Sequence, residues 1–156
     1  MIPSMEKLLL KIAVMLHDCG KYISLANLGE CAYNIIMSTE MIGLSHMERE
    51  IVADIVKFNH DEFVYFETLS KDSSLDRDAY LIMAKLTAIL RVAHGLDRSH
   101  KQKFKDVKIA VKDGVLVFTM ETNADITLEK GMFEQKAAFF EEVFNLRPII
   151  RQKNSY

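Results

Sequence analysis

The sequence predicts a mainly helical fold followed by a small α+β part, and three observations carry that prediction. Apolar residues recur at three- and four-residue intervals through most of the first hundred positions, the spacing that lays a stripe along one side of a helix. Near residue 105 the period changes to strict alternation, the mark of a half-buried strand. Between two such alternating runs stands Asp113-Gly114, a pair suited to a two-residue hairpin turn because both residues tolerate positive φ. A helical part over residues 1–104 and an α+β part over 105–156 are expected to share one core, making a single domain.

Taken in order, Ser4 can cap a first helix over about residues 4–16. Leu8, Leu9, Ile12, Ala13, Met15 and Leu16 cover so much of its circumference that only Lys7 and Lys11 are clearly solvated, so this helix is expected to be central. Gly20 is a stop signal, and residues 23–29 show no sustained period, which reads as a loop before a short helix over 30–38. A turn around Gly43 leads to Ser45 and Glu48. These fit the reciprocal capping box, and Ile51, Val52, Ile55 and Val56 continue as a helical stripe to about Asn59.

Residues 61–74 mix aromatics with a charged, serine-rich patch and read as an exposed loop. A long helix then opens near Leu75 or Asp76, with Ala79, Ile82, Met83, Leu86, Ile89, Leu90 and Ala93 as its stripe, and continues toward His100. Val107, Ile109 and Val111 alternate with Lys108, Ala110 and Lys112, and residues 115–120 return as the partner strand. Residues 125–128 are expected to form a third strand and 132–144 a last helix after Gly131. Residues 146–150 form a short extended tail limited by Pro148.

The composition sets limits on function. With 156 residues, 49% of them hydrophobic, the chain can bury one sizeable core, and a net charge of −2 disfavours a general nucleic-acid or membrane-surface binder. Two cysteines, Cys19 and Cys31, do not make a disulfide framework. No apolar run has the length of a membrane span or precedes a signal cleavage pattern, so a cytoplasmic protein is expected.

Two features could carry chemistry. The apolar run over residues 8–16 delivers His17 and Asp18, a nitrogen and oxygen donor pair of the kind that holds a hard divalent metal. The same pair reads more simply as a helix-end polar contact, with Asp18 accepting hydrogen bonds. His94, His46 and His100 read as boundary or surface histidines, and no nucleophile has an activating neighbour. The second feature is a basic strip: residues 98–112 hold six Lys or Arg against one acid, Asp106. Arg98, Lys101, Lys103 and Lys105 could form a phosphate track, binding by counterion release and bidentate arginine contacts. They could also be the solvated end of a helix, where lysines favour the macrodipole.

Four stretches in register resemble the C-terminal region of the exopolyphosphatase and guanosine pentaphosphate phosphohydrolase family: LHDCGKYIS at 16–24, GLSHMEREIVADIVKF at 43–58, ILRVAHGLDRSH at 89–100 and FFEEVFNLRPI at 139–149. The resemblance implies the helical fold of HD-domain phosphohydrolases, with the phosphatase chemistry in a preceding actin-like pair of domains. No glycine-rich phosphate loop occurs in this sequence. Its implied partners are polyphosphate or a phosphorylated nucleotide, the actin-like phosphatase domains and a second copy of the chain.

The ligand pattern that the resemblance implies is incomplete. An HD metal site uses a His on an upstream helix, which has no counterpart in the chain, and a later Asp, where His94 stands. The family's histidine-rich segment reads NLGEC at 27–31, and its Tyr-His reads Phe58-Asn59 before His60. His17 and Asp18 remain as the residual metal pair, and no cofactor is expected, since a metal hydrolase needs more ligands and an open position for water. The reading is an accessory C-terminal domain of an exopolyphosphatase-like phosphohydrolase that binds or guides polyphosphate and is inactive alone. The alternatives are an independent HD-type metal-dependent phosphohydrolase and a pure interaction or dimerisation domain.

Overall fold

The computed structural model describes residues 2–97 and 106–154. The chain divides into two compact units, Met1–Leu90 and Arg91–Tyr156. The boundary expected at 104/105, the continuation toward His100 and the residues Arg98, Lys101, Lys103 and Lys105 lie outside the described residues.

The first unit is helical: α1 Ser4–Leu16, a 3-10 turn Cys19–Tyr22, α2 Leu28–Ser38, α3 His46–His60, the single turn α4 Phe66–Leu69, and most of α5 Arg77–Leu96. Ser4 lies inside α1, because the position before it is Pro3, whose fixed φ of −55° suits a helix start without any side-chain cap. The capping box at α3 is formed as expected, with Glu48 N–H donating to Ser45 Oγ at 3.1 Å and Ser45 N–H donating to Glu48 Oε2 at 2.7 Å. Asp76 performs the same service for α5, its Oδ1 accepting from Ala79 N–H at 2.8 Å.

The central helix is α3, not α1. In α1 only Leu9 and Ala13 are buried, while Met15 is 83% exposed and Met5, Leu8 and Val14 are exposed as well. In α3 every residue from Glu50 through Val56 is buried, together with Phe58 and Asn59. Ile51, Val52, Ile55, Val56 and Phe58 pack with Ala32 and Ile36 of α2 and with Ala79, Met83, Leu86 and Leu90 of α5. Each large side chain buried this way contributes about 1.5–3 kcal/mol. Apolar count overestimated α1, since a helix with leucines all round still buries only the side that neighbours cover.

Gly20 does not end a helix by left-handed geometry. It sits buried in the 3-10 turn, where a Cβ would meet Leu28 O and lie 3.0 Å from Ala32 N. The turn is thus pressed onto the start of α2, which begins two residues before the expected 30. At Gly43, by contrast, φ is +93° and glycine is required by the backbone itself.

The second unit contains the end of α5, β1 Val107–Lys112, β2 Val115–Glu121, α6 Thr127–Phe144 and β3 Arg147–Lys153. The hairpin forms at Asp113-Gly114, with φ of +51° and +75°, both positive as a type I′ turn requires. Residues 125–128 are not a strand: Asp125 Oδ1 accepts from Thr127 N–H and Oγ1, an Asx-type turn that starts α6, so Gly131 falls within the helix. The third strand is instead the tail, which runs parallel to β2 in the order β1-β2-β3. Pro148 is tolerated there because β3 is an edge.

One sheet face is covered by α6: Phe118 meets Phe133 edge-on with centroids 5.4 Å apart, and Met120, Ile126, Phe140 and Val92 are buried too. Gly95 of α5 allows close approach to α6, since a Cβ there would lie 3.2 Å from the Phe133 backbone. By length and composition alone α5 could cross a membrane. Its apolar residues, however, supply core positions in both units.

Candidate functional site

The end of α1 carries the sequence-predicted His17 and Asp18. His17 Nδ1 donates to Val14 O at 2.6 Å, since a carbonyl can only accept, and its Nε2 lies 3.3 Å from Asp18 Oδ2. Asp18 also takes the Lys21 ammonium at 2.7 Å. Burial pushes the Asp18 carboxyl up, but the Lys21 hydrogen bond and the charges of His17, Lys21 and His60 outweigh it and hold it below its ordinary value. His60, from the end of α3, donates Nε2–H to His17 O at 2.6 Å. Lys21 thus holds Asp18 Oδ2 and His60 is committed to His17 O, while the His17 Nδ1 bond to Val14 O turns Nε2 toward Asp18. Among the described residues no three His, Cys, Asp or Glu side chains converge as a ligand set.

A second polar group, missed in the sequence, lies within the helical core. Glu50 and Asp54 are one helical turn apart on α3 and only 3% and 2% exposed. Glu50 accepts from Ser73 Oγ at 2.6 Å, Ser74 N–H at 3.1 Å and the Ser74 hydroxyl, which pins the loop ahead of α5 to α3. Asp54 has no such relief: its Oδ2 is buried without a hydrogen-bond partner. Burial, then the charges of Glu50 and Glu30 against the opposing Lys57, raise its pKa to about 7. Lys57 bonds Glu30 at 2.8 Å and lies 5.2 Å from the Tyr33 ring centre, and the Tyr33 hydroxyl is pushed up to about 12, mainly by burial. The only sequence signal for this group was a pair of acids spaced four apart inside an apolar stripe.

The third arrangement is the sheet face turned away from α6. Strand register sets Lys112 beside Val115 and Arg147 in one row, and Lys108 beside Thr119 and Arg151 in another; Glu121 and Lys153 end the face. Lys108, Lys112, Arg147, Arg151 and Lys153 are all exposed. A shallow depression of about 210 Å³ lies toward one end, lined by Asp106, Val107, Lys108, Thr119, Glu121 and Lys153. The two carboxylates there leave the Lys112, Arg147 and Arg151 side as the part most favourable to an anion. Arg147 and Arg151 are hard to find in the sequence because Pro148 gives their segment the look of a tail. Once it is a strand, period two alone puts 147, 149, 151 and 153 on one face.

A family model described as Ppx/GppA phosphatase, domain III, matches residues 2–138. The chain belongs to this family. The match runs through the whole helical unit and on to the middle of α6, so the His17-Asp18 corner, the α3 acids and the β1-β2 hairpin all belong to the Ppx/GppA domain, while β3 with its two arginines lies beyond the matched residues. A comparison with curated proteins found no match.

Proposed function

We propose that this Ppx/GppA domain is the accessory C-terminal part of an exopolyphosphatase-like phosphohydrolase in the cytoplasm, holding polyphosphate or a phosphorylated nucleotide for actin-like catalytic domains to which it docks. The observation that carries the reading is the basic sheet face. Arg147 and Arg151 from β3 and Lys108 and Lys112 from β1 are exposed on one surface of a chain that is acidic overall. The strip of Arg98, Lys101, Lys103 and Lys105 immediately precedes β1 in sequence and would add four charges to the same polyanion. Binding by such groups needs no metal and no nucleophile, and the catalysis belongs to the actin-like domains. His17 and Asp18 then keep a structural role at the junction of α1 and α3.

The test is retention on immobilised polyphosphate over a salt series. Binding should fall steeply with salt, and Arg147→Gln with Arg151→Gln should weaken it and reduce the slope of log affinity against log salt by roughly 0.7–0.9 per charge removed. Lys101→Gln with Lys105→Gln should act similarly. Retention unchanged in strength and slope in both double variants would leave these cations as ordinary solvated surface and favour a pure interaction domain.

A further inference from the structure

β1 pairs with β2 on one side, and among the described residues no strand covers its other edge. That edge presents backbone N–H and C=O groups ready to pair with another chain. All six residues of β1 are exposed. Val107, Ile109 and Val111 lie opposite Met120, Phe118 and Leu116, so they extend the apolar face of the sheet outward, with Ile109 58% and Val111 62% exposed. The other edge strand, β3, is guarded: Pro148 removes a donor, and Arg147, Arg151 and Lys153 would face like charges in an antiparallel copy. β1 has no proline, and its two lysines, Lys108 and Lys112, meet like charge only in some registers.

We propose that β1 pairs antiparallel with β1 of a second copy of this chain about a two-fold axis at Ile109, joining two three-stranded sheets into one of six strands. Charge and overlap together decide the register, since an axis at Val107 or Val111 would leave much of the strand unpaired. A shift by one residue would turn the apolar side chains of one copy to the opposite face, so the axis must fall on a residue rather than between two. An axis at Lys108 sets that lysine against itself, and an axis at Ala110 sets Lys108 against Lys112. An axis at Ile109 sets Val107 against Val111, Lys108 against Ala110, and Asp106 against Lys112 at both ends, so no like charges are directly opposed. The contact is isologous, as a two-fold requires. It is also small for a stable dimer, so association is reversible and concentration-dependent.

Sedimentation equilibrium of the full chain over a range of concentrations tests this. The parent should form a reversible dimer. Ile109→Lys, which brings two ammonium groups face to face at the axis, should be monomeric. Lys112→Glu places a carboxylate opposite Asp106 twice and should weaken association about tenfold, whereas Asp106→Lys combined with Lys112→Glu restores the pairing and should return it to within about twofold of the parent. All three positions are exposed, so far-UV circular dichroism should match the parent throughout. A parent that stays monomeric at every concentration, a Lys112→Glu variant that associates as tightly as the parent, or a double variant no tighter than the single one would each overturn the proposal. The polyphosphate experiment substitutes Arg147, Arg151, Lys101 and Lys105, none of which is changed here, so either proposal can fail without the other.

Discussion

Asp54 carries an acid where water cannot reach it, at 2% exposure, with one oxygen lacking a hydrogen bond. The charged and titratable groups facing it are Glu50 and Lys57 on its own helix and Glu30 and Tyr33 from α2. Its folded pKa of about 7 lies above the ordinary 3.8, so between those values the folded chain holds a proton that the unfolded chain has released. Stability therefore falls as pH rises through that window and stays reduced above it. Asp54→Asn removes the charge and keeps the shape. Urea unfolding should show the variant gaining on the parent from about pH 4 upward and levelling off above about pH 7, by on the order of 4 kcal/mol at most. Parallel pH profiles for the two proteins would mean that Asp54 has relief at neutral pH that geometry does not reveal.

At the scale of the element, two glycines that look alike in sequence predict opposite outcomes. Gly131 lies inside α6 with nothing within 4 Å of a would-be Cβ, so Gly131→Ala should stabilise the fold by about 0.5–1 kcal/mol through helix propensity. Gly20→Ala should destabilise it, because the new methyl meets the backbone of α2 at Leu28 and Ala32. Paired thermal melts measure both. The sequence shows each as a helix punctuation mark, since packing distance is invisible there. What was legible was local chemistry: the Ser45-Glu48 box, the Asp113-Gly114 turn and the α5 stripe, except for its exposed last member Ala93, depend on neighbours a few residues away and form as expected. The centrality of α3, the α6 start and β3 depend on contacts between distant segments, and there the pattern misled. Asp125 was assigned to a strand when its carboxylate opens a helix, and the His17-Asp18 pair could be found but not its partners Lys21 and His60.

Across the whole molecule, charge is divided unevenly. Arg91–Tyr156 carries twelve Lys or Arg against nine Asp or Glu, while Met1–Leu90 carries eight against thirteen. A net charge of −2 conceals this division. Amide NMR spectra recorded during a polyphosphate titration should show shifts in Arg91–Tyr156 that reverse on adding salt, with the helical unit largely unmoved. Shifts centred on His17 and Asp18 instead would transfer the anion site to the α1 corner.

The parallel seam between β2 and β3 also governs how the second unit comes together in time. The hairpin needs only a two-residue turn and can close within microseconds, but Leu116 waits for Pro148, far along the chain, and the whole of α6 must cross over in between. Until that crossover is made, Phe118 and Met120 stand uncovered beside an outer edge of β1 that no strand among the described residues pairs. The slow step in folding is thus also the interval in which the chain is most open to sticking to its neighbours, and whatever hastens helix α6 shortens it.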